Sequence, residues 1–403
     1  MMTNSTEEFD VCIVGASIAG NYLSYLLSKT NLKVVVIEEH KEIGIPLQCA
    51  GIISQKISKL INLPDKVIKN RVQIAKLVSP SGNSIELSGN ETPFIIDRIL
   101  LDKYFYALAK TNKNLCFYLG EKVKSLSIHK KALDQSINIT TSRRIIKAQL
   151  LVGCDGPISF VGNFLNVKNK LLYAAQIRIK ARFSEDKAIL VFNPRWKELF
   201  GWIVPEGDKV FRIGIASSDH IREKFKLFLK NLNISFQDKI DQQGGLIPYG
   251  MMNKCAFDNI ILLGDAAGQV KATTGGGIVM LITATKIASK CIQKAFQSNI
   301  FSKKFLKSHY EAPCKKSIGR ELKIHFLIRK ILESFDSDDF NSFFTIIKEH
   351  QIEQIISIYG DMDFPRELVI KMLKNPLVIK FLLKFIIRRP ILLIKLFFIS
   401  LRS

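Results

Sequence analysis

Apolar positions run in short unbroken blocks through the N-terminal half of the chain and at helical spacings through its C-terminal quarter. Residues 9–14 form a buried-strand run. Leu23, Leu26 and Leu27 follow at helical spacing, and residues 33–37 make a second strand ending in Glu38 and Glu39. Strand, helix and strand within about thirty residues predict a β-α-β unit. Residues 41–70 mix loop and helix, broken by Gly44 and Pro46. Alternation over 74–87 around Ser81, Gly82 and Asn83 predicts a hairpin. Residues 97–111 are amphipathic and helical, 115–139 read as strands, and 149–152 as another short buried strand. From 171 to 217 the pattern is strand-rich, with turns at Asn193-Pro194 and Glu206-Gly207-Asp208, which suits an antiparallel sheet. Residues 260–263 are a last buried strand. The glycines at 275–277 open a helix reaching about residue 297, and 301–403 are helical.

Composition narrows the class. Of 403 residues, 47% are hydrophobic, which excludes a disordered chain. Lys and Arg number 59 against 36 acids, for a net charge of +23. Such a balance suits an anionic ligand, an anionic membrane surface or nucleic acid, or reflects a Lys- and Ile-rich composition alone. No run of about 18 uncharged apolar residues occurs, so no spanning helix is expected. Residues 1–8 are polar and lack the apolar core of a signal peptide. The seven cysteines are scattered without CxxC or Cys/His ligand spacing, so neither disulfides nor a metal site is expected. The compartment reads as reducing and cytoplasmic.

The first strand runs into Gly15-Ala16-Ser17-Ile18-Ala19-Gly20. Gly15 permits a tight turn, Gly20 lets helix and strand approach, and the helix-start amides can bind a pyrophosphate. Ser17 stands where a second glycine is usual. Glu38 ends the second strand 23 residues after Gly15, where an acid can accept both ribose hydroxyls of an adenosine. A carboxylate there disfavours a 2′-phosphate, so FAD or NAD fits better than NADP. Far downstream, the strand 260–263 leads into Gly264-Asp265-Ala266-Ala267-Gly268, whose small residues let a ligand lie on the backbone while the Asp binds a polyol. Thr273-Thr274-Gly275-Gly276-Gly277-Ile278 then supplies unhindered amides at the positive end of a helix. Gly153-Cys154-Asp155-Gly156-Pro157 forms a third turn after a buried strand.

Together these elements resemble the FAD-dependent geranylgeranyl reductase family, archaeal digeranylgeranylglycerophospholipid reductases included, within the flavoproteins built like p-hydroxybenzoate hydroxylase. The resemblance covers about residues 9–290. It rests on GASIAG at 15–20, Glu38 in VVVIEEH, GIPLQCAGIIS at 44–54, IDRILLD at 96–102, CDGPIS at 154–159, FGWIVP at 200–205, GGLIPYG at 244–250 and GDAAGQVKATTGGGI at 264–278. It implies an α/β fold with a split Rossmann-type FAD-binding domain (9–72, 94–170 and 251–298). An antiparallel substrate-binding sheet (73–93 and 171–250) and a C-terminal helical region (299–403) complete it.

By position, the resemblance places Ala19 and Gly20 at the pyrophosphate, beside the cofactor-binding turn at Gly15, and Glu38 on the adenosine ribose. Arg98 would reach the phosphates, as one guanidinium can bind a pyrophosphate bidentately. Its alternative is an ion pair with Asp97 or Asp102. Val123 would pair its backbone with adenine, and Asp265 would hold the ribitol. Gly277 and Ile278 would meet the isoalloxazine, with Cys49 and Ala50 beside it. Where the family often has Cys-Gly-Gly, this chain has Cys49-Ala50-Gly51, and Phe200 replaces a common Tyr. The implied reaction is reduction of isolated C=C bonds in isoprenoid lipid chains, with Cys49 and Trp202 as catalytic candidates. Phe200, Trp202, Ile203 and Val204 would wall a dry tunnel. NAD(P)H or a ferredoxin-like donor would supply electrons. Rivals are a flavin monooxygenase, a halogenase (which usually carries Trp-x-Trp), a redox-silent cyclase and a basic binding protein without catalysis.

Residues 371–403 carry eight Lys/Arg and no acid, and Lys380, Lys384 and Arg388 recur every four residues among apolar neighbours. Such a helix suits the headgroup layer. The expectation is a cytoplasmic protein held peripherally on the inner membrane face, with no nucleic-acid partner. A helical cap with a solvated basic face is the alternative.

Overall fold

The computed structural model describes residues 6–89, 91–131 and 134–401. The polar N-terminal stretch therefore lies mostly outside the described residues. Strand Thr6–Val14 is central in the first sheet, flanked in parallel by Val34–Glu38 and Ile145–Gly153. Leu115–Leu119 extends the sheet on one side and Ile260–Leu262 on the other, again in parallel. Val11, Cys12, Ile13, Val34, Val35 and Val36 have no exposed surface, as unbroken apolar runs require in a sheet covered on both faces. Helix Ile18–Leu27 packs against helices Arg98–Ala109 and Ile278–Ser298. The antiparallel pair Val123–Lys131 and Asp134–Thr141 joins the sheet beside Ile145–Gly153.

The second sheet has seven strands, in the order Lys239–Pro248, Leu171–Lys180, Val210–Ser217, Gly201–Gly207, Lys187–Val191, Ile74–Val78 and Ser84–Leu87. Its neighbours are antiparallel, with one departure from expectation: Ile74–Val78 pairs parallel with Lys187–Val191. These strands come from distant segments, so no hairpin dictates their direction. Helix Ile221–Asn231 covers one face, burying Phe225, Phe228 and Leu229 against Trp196, Ile177 and Ile213. A short three-stranded sheet, Ile52–Ile53, Phe94–Ile96 and Ile68–Arg71, bridges the two main sheets.

The C-terminal region opens with one continuous helical run over residues 303–332, widened into π turns at Lys307–Glu311 and Lys315–Gly319, and continues in shorter helices. Phe335, Phe340, Phe344, Phe381 and Phe385 form its core, which also contacts Ile85, Leu77 and Leu87 of the second sheet. Asp336 and Asp339 form a reciprocal capping box on helix Ser337–Glu349, and both pair with Arg389. Among the described residues, no helix is long and apolar enough to cross a membrane.

Candidate functional site

The glycine turn is shaped by contact. Gly15 has φ +99° and donates its N–H to Ile37 O at 2.8 Å. A Cβ on Gly15 would stand 2.4 Å from Cys154 O, and one on Gly20 would stand 1.9 Å from Gly15 O. Strand, turn and helix can therefore approach only without side chains there. Ala19 is buried and faces Gly264, whose Cβ position lies 3.2 Å from the Ala19 methyl. The two halves of the motif, distant in sequence, thus form one surface. Glu38 accepts hydrogen bonds from Ala16 N–H at 2.7 Å and His40 N–H at 2.9 Å. Val123 is buried, and its strand is tied to Glu38 by the Glu121 N–H to Glu38 O bond of 2.9 Å.

Arg98 donates to Ser17 Oγ and Asp102 Oδ2, each at 3.0 Å. The ion pair with Asp102 is real, whereas Asp97 caps the helix through Leu100 N–H. Burial disfavours the Arg98 charge, but the Asp102 carboxylate bonded to it, with Asp265 farther off, outweighs that and holds the group cationic. Arg98 Nε is buried without a partner, an orphaned donor beside the glycine turn. Burial pushes the Asp265 carboxyl up to about 6, against the pull of Arg98. Gly277 caps helix Ile278–Ser298, and a Cβ on it would lie 3.6 Å from Asp265 Oδ1. An unpartnered guanidinium N–H, an acid and backbone bared by glycine fit a dinucleotide with a polyol.

The Cys49 loop is held from the second sheet. Gly51 has φ +81°, and Arg212 Nη1 lies 2.0 Å from where its Cβ would be. Arg212 is 2% exposed and donates to Ala50 O at 3.0 Å and Ile96 O at 3.2 Å, with Glu206 as its counter-charge. Cys49 is half-buried, and its Sγ accepts from Gly51 N–H at 3.2 Å.

A cavity of about 420 Å³ opens from this loop. Cys49, Ala50, Gly275 and Gly276 line it, and Val72, Ala188, Leu190, Phe200, Trp202, Val204 and Ile247 make apolar walls. Ile203 is not a wall residue. Strand alternation turns it to the opposite face, where it packs with Ile213 and Trp196. Trp202 Nε1–H donates to Gln176 Oε1 at 2.7 Å, and Gln176 Nε2 donates to Gln243 Oε1 at 2.8 Å. Ile356, Ser357, Gly360, Asp361 and Leu368 add to the lining from the C-terminal region. At their side, Lys56 pairs with Glu91 at 2.7 Å and with Asp361.

Sequence patterns pointed to the glycines, Glu38, Arg98, Cys49, Asp265 and Trp202. They did not reveal Arg212, Gln176, Gln243 or the C-terminal lining. Arg212 carries a faint signal as a charge inside an otherwise apolar strand, residues 210–217.

The NAD(P)-binding Rossmann-like domain family matches residues 13–50. A digeranylgeranylglycerophospholipid reductase of Methanococcus vannielii is 28% identical over 361 residues, covering 85% of this chain and 92% of its own. An uncharacterized protein of Methanocaldococcus jannaschii is 28% identical over 390 residues, covering 91% and 95%. Among solved structures, a geranylgeranyl bacteriochlorophyll reductase-like protein from Thermoplasma acidophilum superposes with a TM-score of 0.78 at 22% identity, covering 92% of this chain and 100% of that one. The p-nitrophenol 4-monooxygenase of Pseudomonas putida shares the fold at a TM-score of 0.68 and 15% identity, covering 87% and 97%. The split parallel sheet and the mixed second sheet thus share their fold with these solved structures, and over most of its length the chain is similar in sequence to a digeranylgeranylglycerophospholipid reductase.

Proposed function

We propose that this chain binds FAD and reduces isolated C=C bonds in the isoprenoid chains of geranylgeranyl lipids, with digeranylgeranylglycerophospholipids or their precursors as substrates. The observation that carries this is the apolar cavity lined by the Cys49–Ala50 and Gly275–Gly276 loops. The named activity of the Methanococcus vannielii relative supports it. FAD, once reduced by NAD(P)H or a ferredoxin-like donor, supplies the hydride equivalent that an unactivated alkene needs.

The remaining work falls to the chain. Ala19, Gly20 and Arg98 hold the pyrophosphate, Glu38 the ribose, Val123 the adenine edge and Asp265 the ribitol. Gly277 and Ile278 receive the ring. An alkene has no polar handle, so orientation comes from shape, with Phe200, Trp202 and Val204 fixing the chain. Gln176 keeps the Trp202 indole from turning by accepting its N–H. Cys49 lines the cavity, where its thiol would deliver a proton to the second alkene carbon or help close the loop. Turnover of bound reduced flavin that is unchanged in Cys49→Ser would remove that role.

The exposed face of the last helices, with Ile379, Leu383, Ile387, Ile391, Leu393 and Ile394 among Lys380, Lys384 and Lys395, rests on the inner surface of an anionic membrane. Arg388 is exposed as well, but pairs with Asp339. The deciding experiment is to purify the protein, record flavin absorbance, reduce with dithionite and weigh an added geranylgeranyl lipid. Two mass units gained per double bond are expected. No gain with any isoprenoid, together with oxygen-dependent hydroxylation of a small aromatic, would favour a monooxygenase instead.

A further inference from the structure

Arg329 is 1% exposed, and each hydrogen bond described for it ends on a backbone carbonyl: Ala272 O at 3.0 Å, Thr273 O at 2.6 Å and Lys197 O at 3.3 Å. A buried cation without a carboxylate bonded to it is costly, and an apolar side chain would fill the space more cheaply. What it holds explains its presence. Ala272 and Thr273 lie in the segment running into the glycines at 275–277. The peptide between them is trans, so fixing Ala272 O toward Arg329 turns Thr273 N–H the other way. One planar fork thereby sets the orientation of successive peptides in the loop.

The same loop is gripped at two further points. Lys271, 5% exposed, donates to Asp363 Oδ1 at 2.7 Å and Met362 O at 2.9 Å. His325 is buried, which together with the nearby Lys271 charge drops its pKa to about 4 and keeps it neutral. Its Nε2 lies 3.1 Å from Asp363 O, an acceptor only, so Nε2 carries the proton. Nδ1 then accepts the Thr273 hydroxyl at 2.6 Å. Every one of these partners comes from helix Arg320–Leu332 or from residues 362–363, both in the C-terminal region.

We infer that Arg329 and the Lys271–Asp363 pair are positioning residues, through which the C-terminal helices clamp the loop 271–277 into the shape that receives the flavin ring. This rests on the flavin reading above. The C-terminal region is on this account part of the cofactor site as well as a membrane contact.

The test is Arg329→Lys, which keeps the charge but cannot bridge consecutive carbonyls as a fork, with Asp363→Asn beside it. FAD dissociation constants and visible-region circular dichroism of the reconstituted full chain are measured, with far-ultraviolet spectra as the folding control. At least tenfold weaker FAD binding and an altered visible signature, on an unchanged far-ultraviolet spectrum, are expected for both. Wild-type affinity and visible spectra in both variants overturn the clamp, since a merely structural role lowers the melting temperature without changing the flavin signature. A wild-type chain that takes up no FAD overturns the flavin reading, and the clamp with it.

Discussion

Replacing Asp265 by Asn separates what this residue does for the fold from what it does for the ligand. In the flavin-free protein, burial raises its carboxyl from 3.8 to about 6. The folded chain then holds this proton more tightly than the unfolded chain does. Its contribution to stability is fully present below the unfolded value and is lost as pH rises through about 6. At 1.36 kcal/mol per pH unit the span amounts to roughly 3 kcal/mol, an upper figure because the side chain is partly exposed to the cleft. Asn is neutral throughout and escapes that loss. The assay is urea unfolding of flavin-free wild type and Asp265→Asn at half-unit steps from pH 4 to pH 8. The two should agree near pH 4, diverge to about pH 6 and stay apart above it, with the variant more stable by up to roughly 3 kcal/mol. On the proposed role of Asp265 at the ribitol, FAD affinity should move oppositely, because Asn offers no charged acceptor. Parallel stability profiles across the range would refute the reasoning.

Gly20→Ala puts a methyl 1.9 Å from Gly15 O. The helix start must shift, so a loss of about 1–3 kcal/mol in urea unfolding and failure to retain FAD through gel filtration are expected. Trp202→Phe leaves Gln176 Oε1 without its donor. A loss of about 1–2 kcal/mol should accompany slower lipid reduction, while FAD affinity stays at the wild-type value. Ile387 is 77% exposed and Leu383 56% exposed, so Leu383→Glu with Ile387→Glu should leave the melting temperature unchanged. The double variant should lose co-sedimentation with anionic liposomes, and retained binding would count against this face as the membrane contact.

The parallel sheet was readable because its strands are short apolar runs, residues 9–14, 33–37 and 260–263, each followed by glycine or acid at a fixed offset. That chemistry is local: a tight turn needs Gly15 whatever lies elsewhere. The parallel pairing of Ile74–Val78 with Lys187–Val191 was not readable, because apolar periodicity carries no direction. Ile203 was placed on the cavity wall by its position in FGWIVP, and the pleat sends it to the other face. The basic stripe on the last helices was visible as a spacing. Only packing shows that Phe381 and Phe385 turn inward, leaving Leu383 and Ile387 on the surface.

By itself, then, the sequence determined the nucleotide-binding turn, the acid that follows it and the glycine loop ahead of the long helix. Each is a short-range solution to backbone crowding or to the charge of a ligand. Tertiary structure decided where those pieces meet and what holds them there. Arg212 reaches the Cys49 loop from the second sheet. Arg329 reaches Ala272 and Thr273 from a C-terminal helix. Lys56 and Asp361 join across most of the chain. A buried charge is tolerated only where partners converge on it, and that convergence is a property of the packed chain rather than of any segment.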